Sequence, residues 1–201
     1  MSRMRLLLPL VILVGILAWF STPMISNFLS GQKDGNQGRA LITASFNLVN
    51  VEGEKVSQND FHGKPMLVYF GFTYCPDVCP TELMRIGQLL DALGRDADKI
   101  HPILISVDPD RDTPQAMQSY LKSFHPAIIG LTGTPENIKD AASSFRVFYS
   151  KAEDPGSNAG YLIDHSAFVY LMDKNGEYLA HFSPQTDFEL MLQRIKKSFS
   201  S

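Results

Sequence analysis

Phe70-Gly71-Phe72-Thr73-Tyr74-Cys75-Pro76-Asp77-Val78-Cys79-Pro80 carries both cysteines of the 201-residue chain, four positions apart. The apolar run at 65–70 (Pro-Met-Leu-Val-Tyr-Phe) leads into it and reads as a central strand buried on both faces. After it, Leu83, Ile86, Leu90 and Leu93 recur at helical spacing, and Gly94 is placed to end that helix. The cysteines therefore stand at a strand-to-helix junction. Unpaired amides and the positive end of the helix dipole favour thiolate over thiol there, lowering the cysteine pKa from about 8.5. Two such thiols can form a disulfide, attack one, or grip a soft metal.

Downstream, the alternation of strand and helix repeats. Residues 103–107 (Ile-Leu-Ile-Ser-Val) read as the next buried strand, and Thr113 caps a helix with Pro114 at its first position. Met117, Tyr120, Leu121 and Phe124 form the apolar face of that helix. Residues 128–131 are strand-like, Thr134-Pro135 opens another helix, and Ile138, Ala141, Ala142 and Phe145 face inward. A loop over 153–160 precedes a final hairpin, with strands at 166–172 and 177–182 turned by Lys174-Asn175-Gly176. Thr186 and Glu189 form a capping-box pattern for a last helix that carries Phe188, Leu192 and Ile195 inside. Upstream, 46–49 reads as a strand, and Glu52-Gly53 as a turn toward Lys55-Val56. Strands joined through helices imply right-handed parallel crossovers, and the last hairpin adds antiparallel pairing. The expectation is an α/β domain of thioredoxin-like order, a central mixed sheet flanked by helices.

The start of the chain has a different character. Arg3 and Arg5 precede an uninterrupted apolar run over 6–20, roughly 22 Å long as a helix; continuing to Ile25 reaches the roughly 30 Å of a bilayer core. A cleaved signal peptide and an uncleaved anchor both begin in this way. Trp19 and Phe20 stand where a small-x-small cleavage site would lie, and Trp19 suits the membrane interface, which favours one N-terminal transmembrane helix over 1–25. Residues 26–39, with Gly31, Gly35 and Gly38 among polar side chains, read as a flexible linker, leaving 40–201 as the domain. The positive end stays in the cytoplasm, and nothing resembles an Arg- and Ser-rich transit peptide. The expected location is a bacterial inner membrane, crossed once, with the domain facing the periplasm. Of the 18 basic residues only Arg3 and Arg5 lie before residue 30, and all 21 acidic residues lie after it, so the chain beyond residue 30 carries 16 basic against 21 acidic groups. That balance, with no basic cluster, excludes a nucleic-acid surface.

Three motifs then stand in order: Thr73-Tyr74-Cys75-Pro76-Asp77-Val78-Cys79-Pro80, Val107-Asp108-Pro109-Asp110-Arg111-Asp112-Thr113-Pro114, and Asp164-His165-Ser166. Together they resemble the Sco/SenC family over about residues 40–200. The resemblance implies a membrane-tethered, thioredoxin-like copper chaperone for cytochrome c oxidase assembly. Its copper ligands map onto Cys75, Cys79 and His165, the copper-bearing subunit of the oxidase is the acceptor, and another copper chaperone is a candidate donor. The residue types agree: thiolates are soft donors that suit Cu(I), and an imidazole supports Cu(II) as well.

Other readings of the pair stay open. Structural zinc wants four ligands, so it would need His165 and a carboxylate as well. A structural disulfide closes too short a loop to remove much unfolded-state entropy, and a domain of this size does not need it. A disulfide that forms transiently would switch binding off, because copper loading requires both thiols reduced. The rival from another class is a thiol–disulfide oxidoreductase, or a peroxidase, with Cys75 attacking and Cys79 resolving; reduction of the oxidase's own copper-site cysteines is one such task. Its spacing is one residue longer than the usual Cys-x-x-Cys. His62, His101, His125 and His181 read as surface or satisfied core groups, whereas His165 is expected to open a strand near the cysteine loop. Asp77 reads either as a solvated carboxylate or as a tuner of the thiols. The Asp108, Asp110, Arg111, Asp112 run reads as a solvated loop leading to the Thr113 cap. Met66, Met84, Met117 and Met191 read as core or near-core, and Met1, Met4 and Met24 belong with the anchor.

Overall fold

The structure is a computed structural model that describes residues 42–153 and 160–200. Strand β1 (Asn47–Asn50) and strand β2 (Lys55–Ser57) form an antiparallel pair at one edge. The apolar run becomes β3 (Met66–Gly71), whose six residues are all buried. Such a strand needs partners on both edges. It runs parallel to β4 (His101–Ser106) on one side and antiparallel to β8 (Val169–Met172) on the other. β4 pairs parallel with β5 (Ile129–Thr132), and β9 (Tyr178–Phe182) closes the far edge. The mixed seven-stranded sheet has the order β2-β1-β5-β4-β3-β8-β9. The two parallel crossovers run through α1 (Val78–Leu93) and α2 (Pro114–Leu121). α3 (Pro135–Ser144) and α4 (Phe188–Ser198) complete the α-helices among the described residues.

Successive side chains of a strand point to opposite faces, and β3 uses both. Phe70 meets Phe145, just past the end of α3, edge-on at 5.2 Å between ring centroids. Tyr69 and Gly71 face the other way, toward Cys79 in α1. A Cβ on Gly71 would stand 2.9 Å from the Cys79 sulfur, so the missing side chain is what lets that sulfur approach the sheet. α1 buries Leu83, Ile86, Leu90 and Leu93 as their spacing predicts. Each contributes about 1.5–3 kcal/mol by leaving water. Gly94 ends the helix at φ 58, and Thr113 and Thr134 cap α2 and α3 by accepting from Ala116 N–H and Asn137 N–H.

The structure departs from the sequence reading in four places. The first departure concerns the strand expected over 166–172, where only 169–172 is strand. Ahead of it stands a separate antiparallel ribbon, β6 (Tyr149–Glu153) with β7 (Tyr161–His165). β6 (Tyr-Ser-Lys-Ala-Glu) is too polar to signal a strand, and it pairs only with β7, outside the main sheet. Secondly, α4 is capped by Asp187, which accepts from Leu190 N–H, while the Thr186 hydroxyl accepts from Ser183 N–H. Asp187 can reach the first-turn amides one residue later, so the Thr186 capping box does not form. Thirdly, Met84 is 55% exposed, whereas Met66, Met117 and Met191 are buried; residue 84 falls between the inward positions 83 and 86 of α1. The fourth departure, in the acidic loop, belongs to the site below. The expected anchor (1–25) and linker (26–39) lie outside the described residues, among which no helix is long and apolar enough to cross a membrane.

Candidate metal centre

Cys75 lies in the turn between β3 and α1, and Cys79 is the second residue of α1. The first N–H groups of a helix have no partner within it. One of them is used here: Cys79 N–H points at Cys75 Sγ, 3.4 Å away. Cys75 is half-buried, Cys79 is fully buried, and both are free thiols. The pairing of one turn residue with one helix residue, rather than two helical positions, is what aims the amide at the sulfur.

His165 is the last residue of β7, so it closes a ribbon strand where the sequence reading had it open a sheet strand. Its Nε2 stands 3.4 Å from Cys79 Sγ. Its Nδ1 lies 3.3 Å from the carbonyl oxygen of Ser166, which only accepts, so that nitrogen holds the ring proton. When a metal ion binds between the sulfurs, Nε2 is the nitrogen that would offer it a lone pair, with the Nδ1 proton held by the Ser166 carbonyl. Tyr69 and Phe72 flank the imidazole edge-on, with ring centroids at 6.1 and 5.8 Å.

The two thiols differ sharply. Hydrogen bonding from Cys79, helped by His165 and by the amides of Asp77 and Cys79, outweighs burial and brings Cys75 down to about 4. Its bond to Cys75, then burial, pushes the Cys79 thiol well above its ordinary range. The pair thus gives up one proton readily and resists losing the second. Tyr69 is fully buried and its hydroxyl donates to Cys79 Sγ at 3.6 Å; burial first, and then Cys79 beside it, raises the phenol and keeps it a donor. Sequence reasoning missed Tyr69, because only strand alternation and the loop's return bring its hydroxyl to the sulfur.

The three donor atoms all lie within 4.8 Å of one another. With bonds of about 2.0–2.3 Å to thiolate and imidazole, a planar three-donor site separates its donors by about 3.5–4 Å. Small side-chain movements therefore suffice to enclose one ion, and two sulfurs with one imidazole form a soft set. Among the described residues this is the one such cluster of His, Cys, Asp or Glu. His62, His101, His125 and His181 stand elsewhere: His101 packs on Phe61, and His181 bonds to the Tyr178 hydroxyl. Asp77 is exposed and its side chain makes no capping bond.

The acidic loop after β4 is the fourth departure. Asp108 and Asp112 are fully buried rather than solvated. Asp112 accepts from the Thr73 amide (3.1 Å), the Thr73 hydroxyl (2.5 Å) and the Ser106 hydroxyl (2.6 Å), which pins the cysteine turn to the end of β4. Burial nevertheless pushes the Asp112 carboxyl up, against those hydrogen bonds. Asp108 pairs with Arg111 and accepts from the Tyr161 hydroxyl at 2.7 Å. Thr73 and Tyr161 lie 39 and 53 residues away from the carboxylates they hold, which is why the run looked solvated in the sequence.

A family model described as SCO1/SenC matches residues 34–200. The chain belongs to the SCO1/SenC family. An SCO2-like protein of Rickettsia prowazekii is 40% identical over 184 residues, covering 90% of this chain and 89% of that protein. The sco1 protein of Schizosaccharomyces pombe is 40% identical over 206 residues, covering 100% and 78%. The structure of Bradyrhizobium japonicum ScoI with copper bound shares 41% identity and a TM-score of 0.72, covering 78% of this chain and 99% of that one. Arabidopsis thaliana ScoI with copper bound shares 38% identity and a TM-score of 0.74, covering 79% and 98%. The SCO1/SenC domain seen here is thus the thioredoxin-like α/β fold that the sequence implied.

Proposed function

We propose that this chain is a copper metallochaperone that carries copper on Cys75, Cys79 and His165 and delivers it to the copper-bearing subunit of cytochrome c oxidase. One observation carries the reading: a two-sulfur, one-imidazole donor set converges from two separate parts of the fold. Copper-bound relatives that each cover more than three quarters of the chain support it. The thiolate pair holds Cu(I), and the imidazole completes a set that also accepts Cu(II). Transfer runs by ligand exchange, with acceptor thiolates displacing these donors in turn, and another copper chaperone loads the site. Residues 1–25 anchor the chain in a bacterial inner membrane and 26–39 tether the domain on the periplasmic side; Arg3, Arg5 and the apolar run support this arrangement.

His165→Ala is the test. It should weaken Cu(II) binding by more than the 10–100-fold that loss of an outer hydrogen-bond partner costs, while Cu(I) binding to the thiolates largely survives. Equal loss of both ions, or loss of neither, contradicts the role given to His165. A second reading has its own support: a half-exposed Cys75 brought down to about 4 beside a protonated Cys79 is also the arrangement of an attacking and a resolving thiol. Turnover of a disulfide substrate that is lost in Cys75→Ser would favour that reading.

A further inference from the structure

The geometry points to Asp108, Arg111 and Tyr161 as a clamp that holds His165 against the two sulfurs and thereby sets the preference of the site for Cu(II) over Cu(I). This rests on the copper reading above. The donor set is built from two parts that share no strand pairing. Cys75 and Cys79 belong to the β3–α1 junction of the main sheet, whereas His165 belongs to the β6–β7 ribbon, which pairs with no strand of that sheet. Besides the short link over 166–168 from His165 to β8, side-chain bonds across the gap set the distance between the two parts.

The loop over 107–113 grips both. Toward the cysteines, Asp112 holds the amide and hydroxyl of Thr73, two residues before Cys75. Toward the ribbon, Asp108 accepts from the Tyr161 hydroxyl at 2.7 Å, and Arg111 donates to the Tyr161 carbonyl oxygen at 3.0 Å. The Arg111 guanidinium also lies 3.7 Å from the Tyr161 ring centroid and 4.6 Å from that of Tyr74, so one cation spans ribbon and cysteine turn. Tyr161 begins β7, the strand that ends at His165, and a paired strand transmits its position along its length. The Lys151–Asp110 pair at 2.5 Å also joins ribbon to loop, but both side chains are more than half exposed, and such pairs are worth little. The Asp108–Arg111 pair is different: Asp108 is fully buried, the Arg111 side chain is 15% exposed, and each makes further hydrogen bonds to Tyr161. Removing one partner from such a pair leaves a buried charge uncompensated.

The consequence follows from ligand chemistry. Loosening the ribbon withdraws the imidazole and leaves the thiolates in place, and two thiolates still suit Cu(I), whereas Cu(II) loses its nitrogen donor. Asp108, Arg111 and Tyr161 are positioning residues that need touch no metal themselves.

The test uses the full chain with three variants: Tyr161→Phe, which keeps the ring on Arg111 and removes only the hydroxyl; Arg111→Lys, which keeps the charge and removes fork and stack; and His165→Ala as reference. Cu(I) and Cu(II) affinities are measured by competition, nitrogen coupling to Cu(II) by electron paramagnetic resonance, and amide exchange on the metal-free protein. Tyr161→Phe should weaken Cu(II) about 10-fold and Arg111→Lys up to about 100-fold, with Cu(I) changed less than about twofold, as expected for partners that orient a ligand. The nitrogen coupling should shrink, and amides of 149–153 and 161–165 should exchange faster while those of β3 and β4 hold. If His165→Ala shows the split between the two ions and the other two variants do not, the clamp is refuted and the copper reading stands. Equal loss of both ions in Tyr161→Phe, or unchanged ribbon exchange, also refutes the clamp. If His165→Ala shows no split, the copper reading fails and the clamp falls with it.

Discussion

Asp112 offers the sharpest test of how the cysteine turn is held. Its Oδ2 accepts from the Thr73 amide and the Ser106 hydroxyl, its Oδ1 accepts from the Thr73 hydroxyl, and the Asp112 side chain itself is fully buried. Asp112→Ala removes three acceptors at once. The two hydroxyls can turn to other partners, but the Thr73 amide cannot, and a buried orphan donor costs about 1–3 kcal/mol. Adding the two lost hydroxyl bonds at about 1 kcal/mol each brings the expected loss to about 3–5 kcal/mol. Asp112→Asn is much milder, because its carbonyl replaces Oδ2 for two donors and its amide can donate to the Thr73 hydroxyl in place of Oδ1; a loss of at most about 1.5 kcal/mol is expected. The pH dependence is equally specific. The folded-state pKa of Asp112 is raised, by burial first, so the folded protein binds the proton more tightly than the unfolded chain. That contribution is fully present below the unfolded carboxyl pKa of about 3.9 and is lost as pH rises through the folded value. The stability difference between wild type and Asp112→Asn should therefore shift against the wild type as pH climbs through that window, then stay flat to neutrality. Urea unfolding of the reduced, metal-free protein followed by far-ultraviolet ellipticity measures both effects. An Ala variant that loses less than about 1 kcal/mol, or Ala and Asn variants of equal cost, would refute the reasoning.

Two further predictions concern the sulfurs. With Cys75 down at about 4, its alkylation by iodoacetamide should change little from pH 8 to pH 5, whereas an ordinary thiol slows about tenfold per pH unit; peptide mass analysis should find Cys79 unmodified. A tenfold fall per unit across that range would contradict the assigned thiolate. Tyr69→Phe keeps a fully buried ring and deletes the hydroxyl that donates to Cys79, so it should cost no more than about 1.5 kcal/mol in stability. In the Cu(II) form, freeing the sulfur from that hydrogen bond strengthens its donation, which moves the thiolate-to-copper absorption to lower energy and lowers the copper reduction potential. An unchanged spectrum and potential would show that the hydroxyl does not tune the sulfur.

The elements that the sequence announced are those whose signal is local. The strand over 66–71 shows itself as six consecutive residues with no charge, the helix after it by the spacing of Leu83, Ile86, Leu90 and Leu93, and the starts of α2 and α3 by Thr-Pro pairs. Helix and strand periods, and a cap within three residues of its amide, need no knowledge of distant chain. The β6–β7 ribbon had no such signal, since both strands are short, β6 is polar, and they pair only to one another. The Thr186 pattern failed for a related reason: Asp187, one residue later, offered the same amides a better-placed acceptor.

The same division runs through the site. The chain by itself determined that two thiols would sit at the mouth of a helix after a buried strand, because that junction is encoded locally over 65–94, and its motifs marked His165 as their partner. Only the tertiary structure decided that the imidazole's Nε2 faces the sulfurs, that a buried tyrosine donates to one of them, and that Asp108 and Asp112 are interior groups holding the two parts of the site together. Those facts depend on pairs 10 to 86 residues apart, where burial and hydrogen bonding are set by which strands and loops become neighbours rather than by any pattern along the chain.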